Sequence, residues 1–253
     1  MASAKLSDIA RYCDRLLRTP EIHDYPGAVN GLQVENRGRV RRIAAAVDAS
    51  LVTIRLATEA GADLLLVHHG LFWTARQPWT GSHFQIFRQL VESDLAVYSS
   101  HLPLDLHPRL GNNAQLCAAL GFKRLKPFFH DRDQFVGWRT ATSLPREELR
   151  RKLSRAVGAD PLVIPGGPAI CRRIGVVTGG GGGQLKLAAS EGVDTFITGE
   201  GPHWTYALAE ELGVNVFYGG HYATETFGVK ALAQHLASKF GVSWTFVDHP
   251  TGL

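Results

Sequence analysis

RIAAAVDASLVTIRLATEAGADLLLVHHG, residues 42–70, decides the fold. Residues 43–47 form an apolar run of strand length. Residues 51–60 read as a helix, closed by Gly61, and residues 64–67 as a second, fully buried strand. Two apolar strands with one helix between them make a right-handed parallel crossover, the unit of α/β layer structures. Outward from this unit the alternation continues. A helix is expected at 83–92, a strand at 96–99, and a helix at 113–120 stopped by Gly121. On the N-terminal side, Ile9, Tyr12, Cys13, Leu16 and Leu17 recur at helical spacing over residues 7–17, and Pro20 ends that helix. Leu32-Gln33-Val34 is a short strand between turns.

The same order returns later. Strands are expected at 174–178, 195–198, 214–218 and 242–247, and helices at 184–191, 204–212 and 224–240. A shift of 131 lays Arg42-Ile43 on Arg173-Ile174, Gly61-x-Asp63 on Gly192-x-Asp194, and Gly70 on Gly201. A shift of 120 lays Tyr98-Ser-Ser-His101 on Tyr218-Gly-Gly-His221, and Asp105 on Glu225. The match runs through polar positions that packing does not demand, which points to an internal duplication. The expected architecture is three-layer α/β, with a first half at 1–126 and a second at 127–253. Residues 128–167 read as an insertion or extension of the second half. They hold a strand at 135–142 and a helix at 146–157 opened by Pro145.

Composition narrows the class. The chain has 253 residues, 45% hydrophobic and 20% charged, enough to bury a core without disulfides. No apolar run approaches the ~20 residues of a membrane span. The charged, amphipathic N-terminus lacks the core of a secretory signal. Cys13, Cys117 and Cys171 are odd in number and contain no CxxC, which favours a reducing, cytoplasmic location over a disulfide framework. The net charge of +4 is spread along the chain, densest at 37–42 and 146–155, so a nucleic-acid partner is not expected.

In open α/β sheets, ligands bind at the carboxyl ends of the parallel strands. His68-His69-Gly70 follows one expected strand, His101 and Asp105 another, and Gly219-Gly220-His221 with Glu225 a third. His221 and Glu225, four apart at a helix start, share a face. Imidazoles with carboxylates and no thiolates suit zinc, iron, manganese, cobalt or nickel. Two adjacent histidines at a turn suit two ions about 3.5–4 Å apart better than one. The five glycines at 179–183 are followed by neither Gly-Lys-Ser/Thr nor the third glycine of GxGxxG. They leave open a backbone contact to an anion and a flexible loop. GxSxG and HExxH are absent. Phe72, Trp73 and Trp79 read as core, as an interface, or as the walls of a pocket for a flat ring.

Four motifs in this order, Val67-His-His-Gly-Leu-Phe-Trp73, Ser100-His-Leu-Pro-Leu-Asp105, Asp194-Thr-Phe-Ile-Thr-Gly-Glu200 and Gly219-Gly-His-Tyr-Ala-Thr-Glu225, resemble the NGG-one-interacting-factor-three-like family, the GTP cyclohydrolase I type 2 homologues. The resemblance runs from about residue 10 to 246, and the chain is similar to the short form without a large inserted domain. It implies two interlinked α/β domains in a toroidal homohexamer, with two divalent metal ions per subunit. It assigns the metal roles to His68, His69, Asp105, His221 and Glu225. In family terms His69 and Asp105 hold one ion, His68 and His221 the other, and Glu225 lies between them. The activity implied is a metal-dependent, cyclohydrolase-like hydrolysis of a nucleotide or other small substrate. By the internal repeat, and not by the resemblance, His101 lies beside these ligands and reads equally as a proton shuttle and as a support for a metal ligand. The same ligands also suit a metal carrier or insertion factor, and a ring suits a scaffold or nucleic-acid binder.

Overall fold

The computed structural model describes residues 3–73 and 78–253. It divides into two compact units, Met1–His107 with Gly228–His249, and Pro108–Phe227 with Pro250–Leu253. The chain therefore leaves the first unit, builds the second, and returns, which interlinks them by connectivity. The sequence halves part at 126/127, whereas this grouping places residues 108–126 in the second unit and 228–249 in the first.

The first unit is built on a five-stranded sheet. Its order is Ser243–Phe246, Arg42–Asp48, Leu64–His69, Ala96–Ser99 and Gly31–Val34, with only the last strand antiparallel. Leu64, Leu65, Leu66 and Val67 are all fully buried, as expected where both sheet faces are covered. Each such side chain contributes roughly 1.5–3 kcal/mol of burial. Helix Leu51–Glu59 begins at a capping box, in which Ser50 and Thr53 exchange side-chain-to-backbone hydrogen bonds, and buries Ile54 and Ala57. Helix Leu6–Leu16 buries Leu6, Ile9, Ala10 and Cys13. The Tyr12 hydroxyl lies 2.7 Å from His235 Nε2 on the last helix.

The second unit has six strands in the order Lys126–Asp131, Gln134–Pro145, Ile170–Val176, Thr195–Thr198, Asn215–Tyr218 and Leu162–Pro165. Its central three are parallel and its flanks antiparallel. Leu116, Leu149, Leu153, Ile174, Ile197 and Phe217 form the core on one face. On the other face Phe128 lies over Gly175, where a Cβ would come within 2.4 Å of its ring.

The duplication appears in the hydrogen bonds. The Asp63 carboxylate accepts the N–H groups of Arg41 and Arg42, and Asp194 accepts those of Arg172 and Arg173, every member 131 positions on. Ile43 pairs with Leu64 and Ile174 with Thr195 in the same register. In the third strand the offset is different. Leu66 pairs with Tyr98, but Ile197 pairs with Phe217, so the ladder offset there is 119 rather than 120. The extra residue lies between Tyr218 and His221, in the Gly219-Gly220 turn. Among the described residues, no helix is long and apolar enough to cross a membrane. All three cysteines are buried free thiols; burial pushes Cys117 up to about 12 and raises Cys13 and Cys171, so none is a poised nucleophile.

Candidate metal centre

In the first unit, strand Leu64–His69 ends in the two histidines. Adjacent residues on a regular strand face apart, yet the His68 and His69 rings are 4.8 Å apart at the end of the strand, just before the turn at Gly70. That turn is tight: a Cβ on Gly70 would lie 2.3 Å from the Gln33 amide and 2.6 Å from Ser99 Oγ. His101 caps the short helix Leu102–Asp105 and brings its ring to 4.8 Å from His68 and 5.7 Å from His69. One ligating nitrogen from each of the three rings falls within 4.8 Å of the others. Asp105, at the end of that helix, sets Oδ2 3.5 Å from His68 Nε2. The edge of Trp73 meets His101 at 4.8 Å and His69 at 5.5 Å, and its indole N–H donates to the Gly70 carbonyl. Trp73 thus walls the imidazole cluster, whereas Trp79 is exposed and packs on Phe87.

Each imidazole is held from behind. His68 Nδ1 lies 3.0 Å from the Ser100 carbonyl, His69 Nδ1 2.8 Å from Asp48, and His101 Nδ1 2.8 Å from Asp24. A carbonyl or carboxylate only accepts, so every Nδ1 carries the hydrogen and Nε2 keeps the lone pair of the neutral ring. Asp48 sits directly across the parallel ladder from His69. Burial alone would raise the Asp24 carboxyl, but the hydrogen bond and electrostatic attraction from His101, then hydrogen bonds from Asn30 and the Tyr25 N–H, hold it down to about 2.

In the second unit, His221 opens helix His221–Phe240. Its Nδ1 is 2.8 Å from Glu200 and its Nε2 is 3.2 Å from Glu225 Oε2, one helical turn on. Burial would lower the His221 pKa; hydrogen bonds and charge from Glu225 and then Glu200 raise it to about 9. Glu225 is buried, with the first glycine of the run, Gly179, against it. A Cβ there would lie 2.2 Å from Glu225 Oε1, and its φ of +70° also favours glycine. Gly179 N–H donates to Thr224, and Gly181 N–H to Thr198. Close packing on the His221–Glu225 turn therefore accounts for the start of the glycine run.

The structure thus brings together His68, His69, His101 and Asp105 in one unit, and His221 and Glu225 in the other. Sequence reading did not find the anchors Asp24, Asp48 and Glu200. Two carried a signal. Asp48 ends its strand beside His69, and Glu200 closes a quoted motif without a role. Asp24 lies in an irregular stretch with no periodicity to mark it. The donors fit divalent ions: imidazole Nε2 atoms with oriented Nδ1–H groups, beside carboxylates, are the arrangement that metal-binding histidines adopt.

A family model described as Duf34/NIF3 (NGG1p interacting factor 3) matches residues 4–251. A Deinococcus radiodurans protein named GTP cyclohydrolase 1 type 2 homolog is 43% identical over 97% of this chain and 94% of its own. A Halobacterium salinarum protein of the same name is 44% identical, covering 98% and 99%. A crystal structure of a Thermus thermophilus protein superimposes with a TM-score of 0.92 at 40% identity, over 99% of this chain and 100% of that one.

Proposed function

The chain belongs to the Duf34/NIF3 family, and from that premise we propose that it binds two divalent metal ions and hydrolyses a small, nucleotide-like substrate. The observation that carries the reading is the shared anchoring of His68, His69, His101 and His221, each with Nδ1 on an oxygen acceptor. His68, His69 and His221 would hold the ions through Nε2, Asp105 and Glu225 through carboxylate oxygens, with Glu225 shared. Their negative charge offsets the repulsion between two dications. Bound divalent ions supply Lewis acidity and bring the pKa of water down toward neutrality.

The chain's own residues do the rest. His101, locked on Asp24, presents one basic nitrogen at a fixed position, which suits it to accept a proton from water and return it to a leaving group. Asp24 keeps that ring in one tautomer and orientation. Tyr25, with its ring 5.7 Å from His101, and Trp73 give the cluster an aromatic flank that limits water and offers a flat surface to a ring. The relatives' name supports a nucleotide cyclohydrolase reading of the substrate. A homohexameric ring is part of the proposal. It is supported by Trp79, Phe84, Phe87 and Val91, each about half exposed or more, with the last three on helix Gly81–Ser93.

The test is a turnover screen of GTP and related nucleotides with protein loaded in turn with each candidate metal. Metal-dependent product formation, lost in Glu225→Gln and slowed in His101→Ala, is expected. No turnover with any metal, together with rapid surrender of the ions to an acceptor protein, would favour a carrier and overturn the hydrolase reading.

A further inference from the structure

The second unit contains a hollow of about 370 Å³, lined by Arg124, Lys126, Arg139, Ala141, Arg173 and Gly192 among others, with no acidic residue in its lining. The register explains how the cations meet. Lys126 pairs with Arg139, and Ala141 with Arg173, across adjacent antiparallel strands. Residues two apart on a strand share a face, so these four positions lie on one side of the sheet. Ala141 leaves the space between the long side chains, and the Gly192 turn after helix Leu185–Ser190 leaves it uncovered.

Like charges directly opposite in a sheet destabilise it, and Lys126 faces Arg139. The neighbouring acids are engaged with the main chain. Glu191 accepts the N–H groups of Phe129 and His130, and Asp194 those of Arg172 and Arg173. Arg139 donates to the Glu191 carbonyl, which fixes its guanidinium without neutralising it. Arg173 reaches Asp194 only at 3.8 Å and stays largely exposed. The hollow is also of the size of small-molecule sites, ~300–1,000 Å³. Guanidinium forks match phosphate oxygens, and several cations in one hollow match an oligophosphate better than a single carboxylate.

We propose that this hollow binds an oligophosphate, free or as the tail of a nucleotide, at a site apart from the metal ligands. Arg173 lies three residues before Val176, where strand Ile170–Val176 ends, and Gly179, the glycine against Glu225, lies beyond that end, so ~10 Å of strand lies between the hollow and the turn that meets Glu225. A ligand seated here therefore occupies a second site and does not compete for His221 or Glu225.

The test is calorimetric titration of the full-length protein with sodium tripolyphosphate and, separately, with GTP, in wild type, in Glu225→Gln, and in Lys126→Gln/Arg173→Gln. Saturable binding is expected, retained in Glu225→Gln and weakened at least about tenfold in the double variant, on the ~1.4 kcal/mol-per-decade scale of lost charged contacts. Arg173→Lys keeps the charge and should retain most of the affinity. GTP binding that is tighter than that of tripolyphosphate and falls with it in Lys126→Gln/Arg173→Gln identifies a nucleotide as the ligand; GTP binding that is equal or weaker, or that the double variant leaves unchanged, identifies the free anion. Should the double variant fail to fold, protection of Lys126 from amine acetylation by tripolyphosphate in wild type serves as the readout. Absence of saturation, unchanged affinity in a folded double variant, or no protection of Lys126 would overturn the proposal.

Discussion

Replacing Glu200 by Gln should weaken divalent-metal uptake more at pH 9 than at pH 7. Glu200 holds His221 Nδ1 at 2.8 Å, and Glu225 faces Nε2 at 3.2 Å. In the metal-free chain these acids outweigh burial and raise the His221 pKa to about 9. A raised pKa means the ring carries its proton below that pH, so a metal ion at pH 7 must displace it. Two pH units correspond to a competition of up to about 100-fold, fading as pH rises through 9. The Glu200→Gln change has two opposite effects. It removes an anion that makes the ring a better donor, a loss of ~10–100-fold for an anchor of this kind. The Glu200 side chain is 46% exposed, which places the loss near the lower end. It also lowers the His221 pKa, which relieves the proton competition at pH 7. The two partly cancel at pH 7, and only the loss remains at pH 9. Competition against a fluorescent chelator across this range reads both. A deficit equal at every pH, or larger at pH 7, would refute the reasoning.

Glu225→Gln should weaken both ions together, while His68→Ala or His69→Ala should empty mainly one, because an imidazole serves one ion through Nε2; metal titration of the three variants checks this. Light scattering should show an oligomer at micromolar concentration, and Phe87→Asp with Val91→Asp should shift it toward monomer by placing charge on an exposed apolar stripe. Asp63→Asn should lower stability at pH 7 by about 1 kcal/mol, a modest loss for a partly exposed carboxylate. The Asp63 pKa is lowered, against the effect of burial, by Arg41 and by the Arg41 and Arg42 N–H groups. Its contribution is therefore present above the unfolded value near 3.9 and fades as pH falls through the lowered one, so chemical-denaturation curves of variant and wild type should converge in acid.

Much of the fold was legible because the central strands are buried on both faces and read as short apolar runs. Ala96–Ser99, Thr195–Thr198 and helix Arg146–Val157 fall where the periodicity and turn signals place them. Edge strands carried weaker signals. Lys126–Asp131 contains Pro127, two charged ends and Phe129 at φ +65°, so neither alternation nor propensity marks it. The candidate ligands were visible because chemistry-bearing residues follow strand ends, where an α/β sheet exposes its loops. Their anchors were less visible, since an anchoring carboxylate is defined by the distance to another segment: Asp24 reaches His101 across 77 positions of sequence. The one-residue slip between Tyr98 and Tyr218 was hidden for a related reason. Matching side chains aligned two tyrosines, but backbone pairing sets the register, and it pairs Tyr218 with Thr198.

The central claim is that His68, His69, Asp105, His221 and Glu225 hold two divalent ions. Elemental analysis of protein purified anaerobically, loaded with each candidate metal and freed of excess tests it most directly. Two tightly held ions per chain, falling together in Glu225→Gln, is the expected result. One ion or fewer per fully loaded wild-type chain, unchanged when these ligands are replaced, would contradict it.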